Sequence, residues 1–213
     1  MDFLSHEIEA YVEKYTQPES EVLKELNRDT NANVMTPRML SGHLQGQVLM
    51  MLSKMIRPKI ILEIGTYTGY SAICLAQGLE LGGVLHTIDI NEELESMVKK
   101  YFQKAGLLNT IRLHTGNAIN IVPAIEGPVD IVFIDADKEN YSNYYDLVFD
   151  KVRTGGYIIA DNVLWSGNVV KPENEMDEET KALVNYSEKI NADDRVENVL
   201  LPVRDGLMIA RKK

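Results

Sequence analysis

The chain has a single cysteine, Cys74, and no apolar run of about 18 residues, the length that a membrane helix needs. One cysteine excludes an internal disulfide framework and fits a reducing compartment, so we expect a cytoplasmic protein. The missing apolar run excludes a membrane-spanning helix. Positive charge is also scarce: the formal net charge is −10, which disfavours a broad nucleic-acid-binding surface. The acidic, amphipathic N-terminal segment MDFLSHEIEAYVEKY does not have the pattern of a secretory signal.

The chain does have the length and apolar content of a well-packed domain. With 213 residues, 45% of them hydrophobic, we expect one domain over 1–213, made of a helical extension (1–56) and a core (57–213). Apolar residues at helical spacing predict helices over 3–15, 18–28 and 41–56. On the third helix, the predicted core-facing stripe consists of Leu44, Val48, Met51, Leu52 and Met55.

From residue 60 onward, short apolar runs alternate with helical patterns. This alternation predicts a doubly wound, mostly parallel sheet with right-handed crossovers, whose ligands bind outside the carboxyl ends of the strands. The short link before the last strand predicts that this strand is antiparallel. We expect strands at 60–64, 84–89, 111–114, 130–135, 157–161, 196–201 and 207–211, and helices at 70–79, 92–105, 118–125, 141–152 and 178–190.

Two of these apolar runs end abruptly in oxygen-bearing side chains. Asp135 follows one run, and Asp161 and Asn162 follow the next. Neighbouring parallel strands lie about 4.8 Å apart, so we expect these side chains to converge. Two carboxylates and an amide oxygen suit Mg²⁺, Mn²⁺ or Ca²⁺. Lys138, three residues after Asp135, would hang over the same point. The alternatives are a turn or helix cap for Asp161 and Asn162, and a plain surface lysine or a helix-start ion pair for Lys138.

A glycine-containing loop, in the segment LEIGTYTGYS, follows the first strand. Gly65 allows close backbone approach to a ligand, and the carboxylate of Asp89, at the end of the second strand, can accept hydrogen bonds from ribose hydroxyls. A nicotinamide fingerprint would need a further glycine where Tyr67 stands. Glu63 would repel a pyrophosphate but attract an ammonium group. These features favour S-adenosylmethionine, the alternative being a plain strand–turn–helix with a solvated Asp89.

Four segments carry a resemblance to a known family: LEIGTYTGYS, VFIDADKENYSNYY, GGYIIADNVLWSGNVV and LPVRDGLMIARK. Over about residues 33–213 the chain resembles the cation-dependent class I O-methyltransferases of the catechol and caffeoyl-CoA type. The resemblance implies a Rossmann-like methyltransferase sheet, S-adenosylmethionine as the methyl donor, a divalent cation with magnesium first, a small phenolic acceptor and a homodimer. It also implies that the region of Trp165 forms one wall of the acceptor slot.

The resemblance also assigns roles to particular residues. Lys138 is implied as the catalytic base, which accepts the hydroxyl proton or, if it stays charged, stabilises the phenolate. Gly46-Gln47 sets a register that selects Ser41 for the donor, with helix capping as the alternative role of Ser41. Asp137 is a weaker candidate. The implied metal ligands are Asp135, Asp161 and Asn162, and the implied donor contacts are Ser41, Glu63, Gly65, Ser71, Asp89, Ala118 and Asp135.

The acceptor is open at this stage. The acidic loop NVVKPENEMDEETKAL offers no basic clamp for the phosphates of CoA, so a catechol-like or caffeoyl-like phenol is favoured over a CoA ester or a flavonoid. A tRNA hydroxyuridine O-methyltransferase is an alternative that the net charge disfavours. A NAD-dependent reductase would ignore chelators, and a non-catalytic cofactor-binding protein would tolerate replacement of Lys138 and Asp161.

Overall fold

The computed structural model describes residues 5–213, which divide into two compact units, 5–118 and Ile119–Lys213. Seven strands are present in this range, and all belong to one mostly parallel sheet flanked by helices. The prediction of a mostly parallel α/β sheet is therefore confirmed, whereas its grouping into a single domain with an extension over 1–56 stays a prediction. No helix in residues 5–213 is long and apolar enough to cross a membrane.

The first unit consists of helices followed by three parallel strands with intervening helices. Strand β2 lies in the middle and pairs with β1 on one side and β3 on the other, from Ile60 opposite Val84 to Asp89 opposite Thr115. The elements are α1 (His6–Tyr15), α2 (Glu21–Asn33), α3 (Gly42–Ile56), β1 (Ile60–Ile64), α4 (Tyr70–Ala76), β2 (Val84–Asp89), α5 (Glu95–Lys104) and β3 (Ile111–Thr115).

Helix α3 has the predicted bounds to within one residue, but it buries a different face. Met51 and Met55, predicted to lie in the core, are 60% and 73% exposed. The buried residues of α3 are instead Gln45, Gly46, Leu49 and Ser53. The prediction of a methionine-lined core face was therefore wrong: the buried face is displaced from the predicted one by about one residue along the sequence.

Close packing against α4 explains which face of α3 is buried. A Cβ atom on Gly46 would stand 2.6 Å from Cε1 of Tyr70 and 2.9 Å from Sγ of Cys74. The hydroxyl of Ser53 donates to the backbone oxygen of Leu75 at 2.6 Å. Small residues let two helices approach closely, so this face is buried although it is less apolar than its neighbour.

The second unit contains the remaining strands. Strand β4 pairs with β5 in parallel, and β7 lies antiparallel between β5 and β6, as predicted for the chain end. All six residues of β4 are buried. The elements are the short α6 (Ala118–Ile121), which begins at the unit boundary, then β4 (Val129–Ile134), α7 (Tyr141–Phe149), β5 (Val152–Asp161), α8 (Glu178–Ala192), β6 (Val196–Leu201) and β7 (Leu207–Lys212).

Side-chain caps mark two of the helix starts that differ from prediction. The helix predicted over 18–28 begins at Glu21, because the Ser20 hydroxyl accepts the Leu23 amide hydrogen at 3.3 Å, and it continues to Asn33. The helix predicted over 3–15 begins at His6 after the cap Ser5. Residues 3 and 4 of that prediction lie outside the described residues.

Candidate functional site

At the carboxyl ends of β1 and β2, backbone amides orient the predicted ribose acceptor. Asp89 accepts the amide hydrogen of Tyr67 on Oδ2 at 2.7 Å and that of Asn91 on Oδ1 at 2.9 Å. Gly65 has a φ of 102°, which favours glycine, and its amide donates to the oxygen of Ile88 at 2.9 Å. The loop and Asp89 are thus brought together, and Asp89 borders a shallow pocket that Tyr67 also lines.

Glu63 is fully buried near the end of β1. Its Oε2 accepts a hydrogen bond from the hydroxyl of Thr87 at 2.5 Å, and Thr66 meets the same hydroxyl at 2.5 Å. A buried carboxylate is costly unless it is hydrogen-bonded or meets a positive charge. The threonine hydroxyls partly stabilise the buried carboxylate, and a cationic ligand group would stabilise it further.

Three further predicted donor contacts are also buried. Ser41, Ser71 and Ala118 are 6%, 5% and 6% exposed. Ser41 stands at the N-cap position of α3, but its side chain makes no capping hydrogen bond, which speaks against the capping alternative. The amide of Gly116 donates to the oxygen of Asp89 at 2.8 Å, which ties the loop before Ala118 to the end of β2.

In the second unit, the centre of the predicted site is the ammonium group of Lys138. It donates to Oδ1 of Asp135 at 3.1 Å, to Oδ1 of Asn162 at 2.9 Å and to the hydroxyl of Tyr141 at 2.6 Å. The side chain of Lys138 is only 8% exposed and that of Asp135 is 21% exposed. Lys138 is thus a buried, triply bonded cation rather than a surface lysine, whereas its bond to Asp135 is the ion pair at a helix start that the other alternative describes.

These contacts test whether the predicted ligands suit a divalent cation. Asp135 and Asn162 present oxygens to one positive charge, so the Lys138 ammonium acts as a stand-in for a cation between them. Asp161 differs, because its Oδ1 accepts the amide hydrogen of Asn162 at 2.7 Å. The donor set fits a hard cation through two of its three members. No group of three or more His, Cys, Asp or Glu side chains suited to a metal occurs within residues 5–213, so the metal assignment stays a prediction.

Tyr141 is a member of the Lys138 cluster to which no specific role was assigned from the sequence. Its hydroxyl accepts from Lys138 and donates to the backbone oxygen of Asp161 at 3.0 Å. Burial, followed by the nearby carboxylates of Asp135 and Asp161, raises the pKa of Tyr141 well above its ordinary value. Tyr141 is therefore a neutral phenol. The signal for it was the spacing Lys138-x-x-Tyr141, which puts both side chains on one face of a helical turn.

The loop after β5 brings an aromatic ring to the same lysine. Asn162 has a φ of 59°, and its backbone oxygen accepts the amide hydrogen of Trp165 at 3.1 Å, so it begins a turn, which was one of its alternatives, and does not cap a helix. The ring centroid of Trp165 is 5.7 Å from Nζ of Lys138, and that of Tyr141 is 4.8 Å away. By contrast, Asp137 accepts the hydroxyl hydrogen of Tyr144 at 2.6 Å. That bond gives Asp137 a packing role, and its weaker assignment as a donor contact stays a prediction.

Comparisons with known proteins bear on both the fold and the chemistry. A family described as O-methyltransferase matches residues 12–213. The chain is 37% identical over 208 residues to caffeoyl-CoA O-methyltransferase of Mesembryanthemum crystallinum, covering 91% of this chain and 80% of that one. The O-methyltransferase from Bacillus cereus, solved in complex with SAH, has a TM-score of 0.89 and 30% identity over 97% of each chain. SAH-bound PaMTH1 of Podospora anserina has a TM-score of 0.89 and 28% identity over 97% and 94%.

Proposed function

The chain belongs to the O-methyltransferase family, and from this premise we propose a divalent-metal-dependent enzyme that methylates a hydroxyl of a catechol-like or caffeoyl-like small molecule. The coarser part of this statement is established: family membership and structural neighbours solved with SAH or SAM make the chain an S-adenosylmethionine-dependent O-methyltransferase of Rossmann-like fold. The metal, the acceptor and the residue roles are the proposal.

One observation carries the metal proposal: two oxygen ligands, from Asp135 and Asn162, share a single buried positive charge. With Asp161 they would hold a divalent cation, with Mg²⁺ as our first choice and Mn²⁺ or Ca²⁺ as alternatives. A cation there would lower the pKa of an acceptor hydroxyl and orient it. Such positioning can lower a barrier by about 7–11 kcal/mol.

Lys138 is the proposed catalytic residue. If it is neutral when the acceptor binds, its amine accepts the hydroxyl proton, and if it is charged, it stabilises the phenolate oxygen. Tyr141 fixes the amine by accepting one of its hydrogens while donating its own to the backbone of β5. S-adenosylmethionine, when bound, would supply the methyl group for this oxygen and would be released as S-adenosylhomocysteine.

The donor is assigned to residues at the strand ends of the first unit. Asp89, already oriented by two amide hydrogens, would accept hydrogen bonds from the ribose hydroxyls. The buried carboxylate of Glu63 would attract the ammonium group of the methionine moiety. The remaining proposed donor contacts are Ser41, Gly65, Ser71, Ala118 and, in the second unit, Asp135.

The charge of the segment after β5 favours a small phenol over a CoA ester. The run between Lys171 and Lys181 has no arginine and carries five carboxylates, at Glu173, Glu175, Asp177, Glu178 and Glu179. Phosphate groups of CoA would be repelled there at low salt. A CoA ester, which the curated relatives' names indicate for those proteins, remains the first acceptor to test beside simple diphenols.

The decisive experiment is a turnover screen with S-adenosylmethionine over diphenols, hydroxycinnamoyl-CoA esters and unmodified tRNA, each with Mg²⁺ or with excess EDTA. We expect methylation of 3,4-dihydroxy aromatics that EDTA stops. The variant Asp161→Ala should lose most turnover while remaining folded, and Asp194→Ala, an exposed carboxylate, should behave as wild type. Undiminished turnover in EDTA would contradict the metal proposal, and methylation of tRNA alone would contradict the acceptor class.

We also propose that the enzyme is a cytoplasmic homodimer. None of the residues of α1 is buried, and its apolar side chains Ile8, Tyr11 and Tyr15 are 51%, 62% and 66% exposed. Exposed apolar side chains on one helix are typical of an interaction surface. Light scattering should give the mass of a dimer for the wild type and of a monomer for the double variant Tyr11→Glu/Tyr15→Glu.

A further inference from the structure

The loop 162–167, which follows β5, has an unusual backbone. Asn162, Trp165 and Ser166 have φ angles of 59°, 44° and 53°, and Gly167 has 80°. Left-handed conformations are unfavourable for residues other than glycine, and for a bulky aromatic residue they are exceptional. Such strain persists only where the surrounding structure holds it, and it clusters at functional sites.

The turn between β6 and β7 provides what holds this loop. Asp205 accepts the amide hydrogen of Ser166 on its carboxylate Oδ1 at 2.5 Å and that of Leu164 on its backbone oxygen at 2.8 Å. The oxygen of Gly206 accepts the amide hydrogen of Val163 at 3.3 Å. Three amides of the loop are therefore bound by two adjacent residues.

The fit between the two segments is close at Gly206. Its φ is 90°, and a Cβ atom there would stand 2.5 Å from Cγ of Leu164. Of the three hydrogen bonds between the two segments, only the one from the Ser166 amide to Asp205 involves a side chain. The amide of Ser166 follows directly on Trp165, so this bond sets the backbone on the C-terminal side of the indole.

The orientation that results brings the indole to Lys138, at 5.7 Å from ring centroid to Nζ. A cation over an aromatic face is attracted to it. Burial raises the pKa of the half-buried Asp205, while the hydrogen bond from the Ser166 amide and, to a smaller extent, the charges of Lys138 and Arg204 oppose that shift. Asp205 thus both holds the loop and lies within electrostatic range of the proposed catalytic lysine.

We propose that Asp205 is a positioning residue for the aromatic acceptor: through the amide of Ser166 it holds the indole of Trp165 beside Lys138, where the indole forms a flat wall for a planar phenol. This proposal rests on the proposed function for its acceptor, but the position of Trp165 does not depend on it. Without the carboxylate, the strained loop relaxes and the wall is lost. The acceptor then binds more weakly, while donor binding does not change.

The test compares three substitutions of Asp205. Asp205→Asn keeps an acceptor oxygen for Ser166, Asp205→Ala removes it, and Asp205→Glu keeps the charge but displaces the carboxylate. Asp194→Ala serves as the exposed-carboxylate control. Trp165 is the single tryptophan, so its fluorescence reports on this loop alone when tyrosine is not excited. Circular dichroism and thermal melting establish that each variant is folded, and Asp205→Glu provides the test if the alanine variant does not fold.

We expect acrylamide to quench Trp165 about twofold more strongly in Asp205→Ala and Asp205→Glu than in wild type, because the loop opens more often. Their KM for the acceptor should rise about tenfold, with the KM for S-adenosylmethionine unchanged. Asp205→Asn should restore both. Equal behaviour of the asparagine and alanine variants, or unchanged quenching in folded Asp205→Ala, would overturn the proposal. Because quenching is measured without substrates, it tests the position of Trp165 even if the proposed reaction is wrong.

Discussion

Replacement of Lys138 by methionine tests the charge balance of the second-unit cluster. Methionine keeps much of the apolar stem but removes the ammonium that joins Asp135, Asn162 and Tyr141. The carboxylate of Asp135 then has no cation beside it. Asn162 and Tyr141 lose their donor at the same time.

The structure sets the size of the effect. Two unit charges 3.1 Å apart attract by about 5 kcal/mol at an effective dielectric constant of about 20. The desolvation of Lys138, which is 8% exposed, offsets part of this attraction. Breaking a buried pair by removing one partner costs about 3–5 kcal/mol. Because Asp135 is 21% exposed and water can reach it, we expect a loss of about 2–3 kcal/mol, at or just below the low end of that range.

The assay is urea unfolding of wild type and Lys138→Met, each with EDTA and with Mg²⁺. Mg²⁺ that binds the native variant at about 100 times its dissociation constant would restore about 2.7 kcal/mol. Lys189→Met is the matched control, because Lys189 forms a more exposed ion pair with Asp146, and such pairs contribute less than about 1 kcal/mol. Methyl transfer should fall about 10²–10⁴-fold in Lys138→Met and not in the control.

Two results would refute this reasoning. If Lys138→Met is as stable as wild type in EDTA, the ammonium does not balance Asp135. If Mg²⁺ stabilises neither protein, the oxygens around Lys138 do not bind a divalent cation, and the metal proposal falls with them.

Three further predictions concern the first unit. The partners Lys100 and Tyr101 lower the pKa of Asp29 from 3.8 to about 2, so its stabilising contribution is complete above pH 4 or so and is lost as the pH falls toward about 2. Asp29→Asn should therefore remove about 1–2 kcal/mol at neutral pH and less at pH 2, as measured by urea unfolding. Gly46→Ala should cost about 1–3 kcal/mol by forcing α3 from α4, and Met51→Ala on the exposed face less than about 0.5 kcal/mol. Asp89→Ala should weaken S-adenosylhomocysteine binding about 10–100-fold in calorimetry, and an unchanged affinity would remove Asp89 from the donor site.

Strand positions were predictable where an apolar run ends in a polar residue, and less so where glycine interrupts a strand. Strand β5 was predicted from residue 157, but it begins at Val152. The Gly155-Gly156 pair reads as a turn in the sequence. In the structure the register with β4 shifts between Val129 and Ile131, and Gly155 adopts a φ of 76° within the strand. An irregularity inside a strand and a turn before it have the same local sequence signal, so only the pairing partner distinguishes them.

Helix α3 shows a second limit of sequence patterns. Periodicity gave its length, but it placed the wrong face inward, because Met51 and Met55 are more apolar than Gly46 and Ser53. Burial was decided by how closely α4 approaches, which depends on side-chain size rather than on hydropathy. The sequence of α3 alone therefore does not indicate where α4 packs against it.

The residues of the candidate site likewise fall into those that the sequence predicted and those that it did not. Asp135, Lys138 and Asn162 were predicted together because parallel strands must end side by side, and the structure brings them together. Asp205 could not be found in this way, because the bond from Ser166 joins residues 39 apart, from the loop after β5 to the turn between β6 and β7. The positive φ of Trp165 leaves no trace in a sequence either, since an aromatic residue is the least expected one there. The variants of Asp205 therefore test whether this strained tryptophan, held by a distant carboxylate beside a buried lysine, serves acceptor binding or only folding.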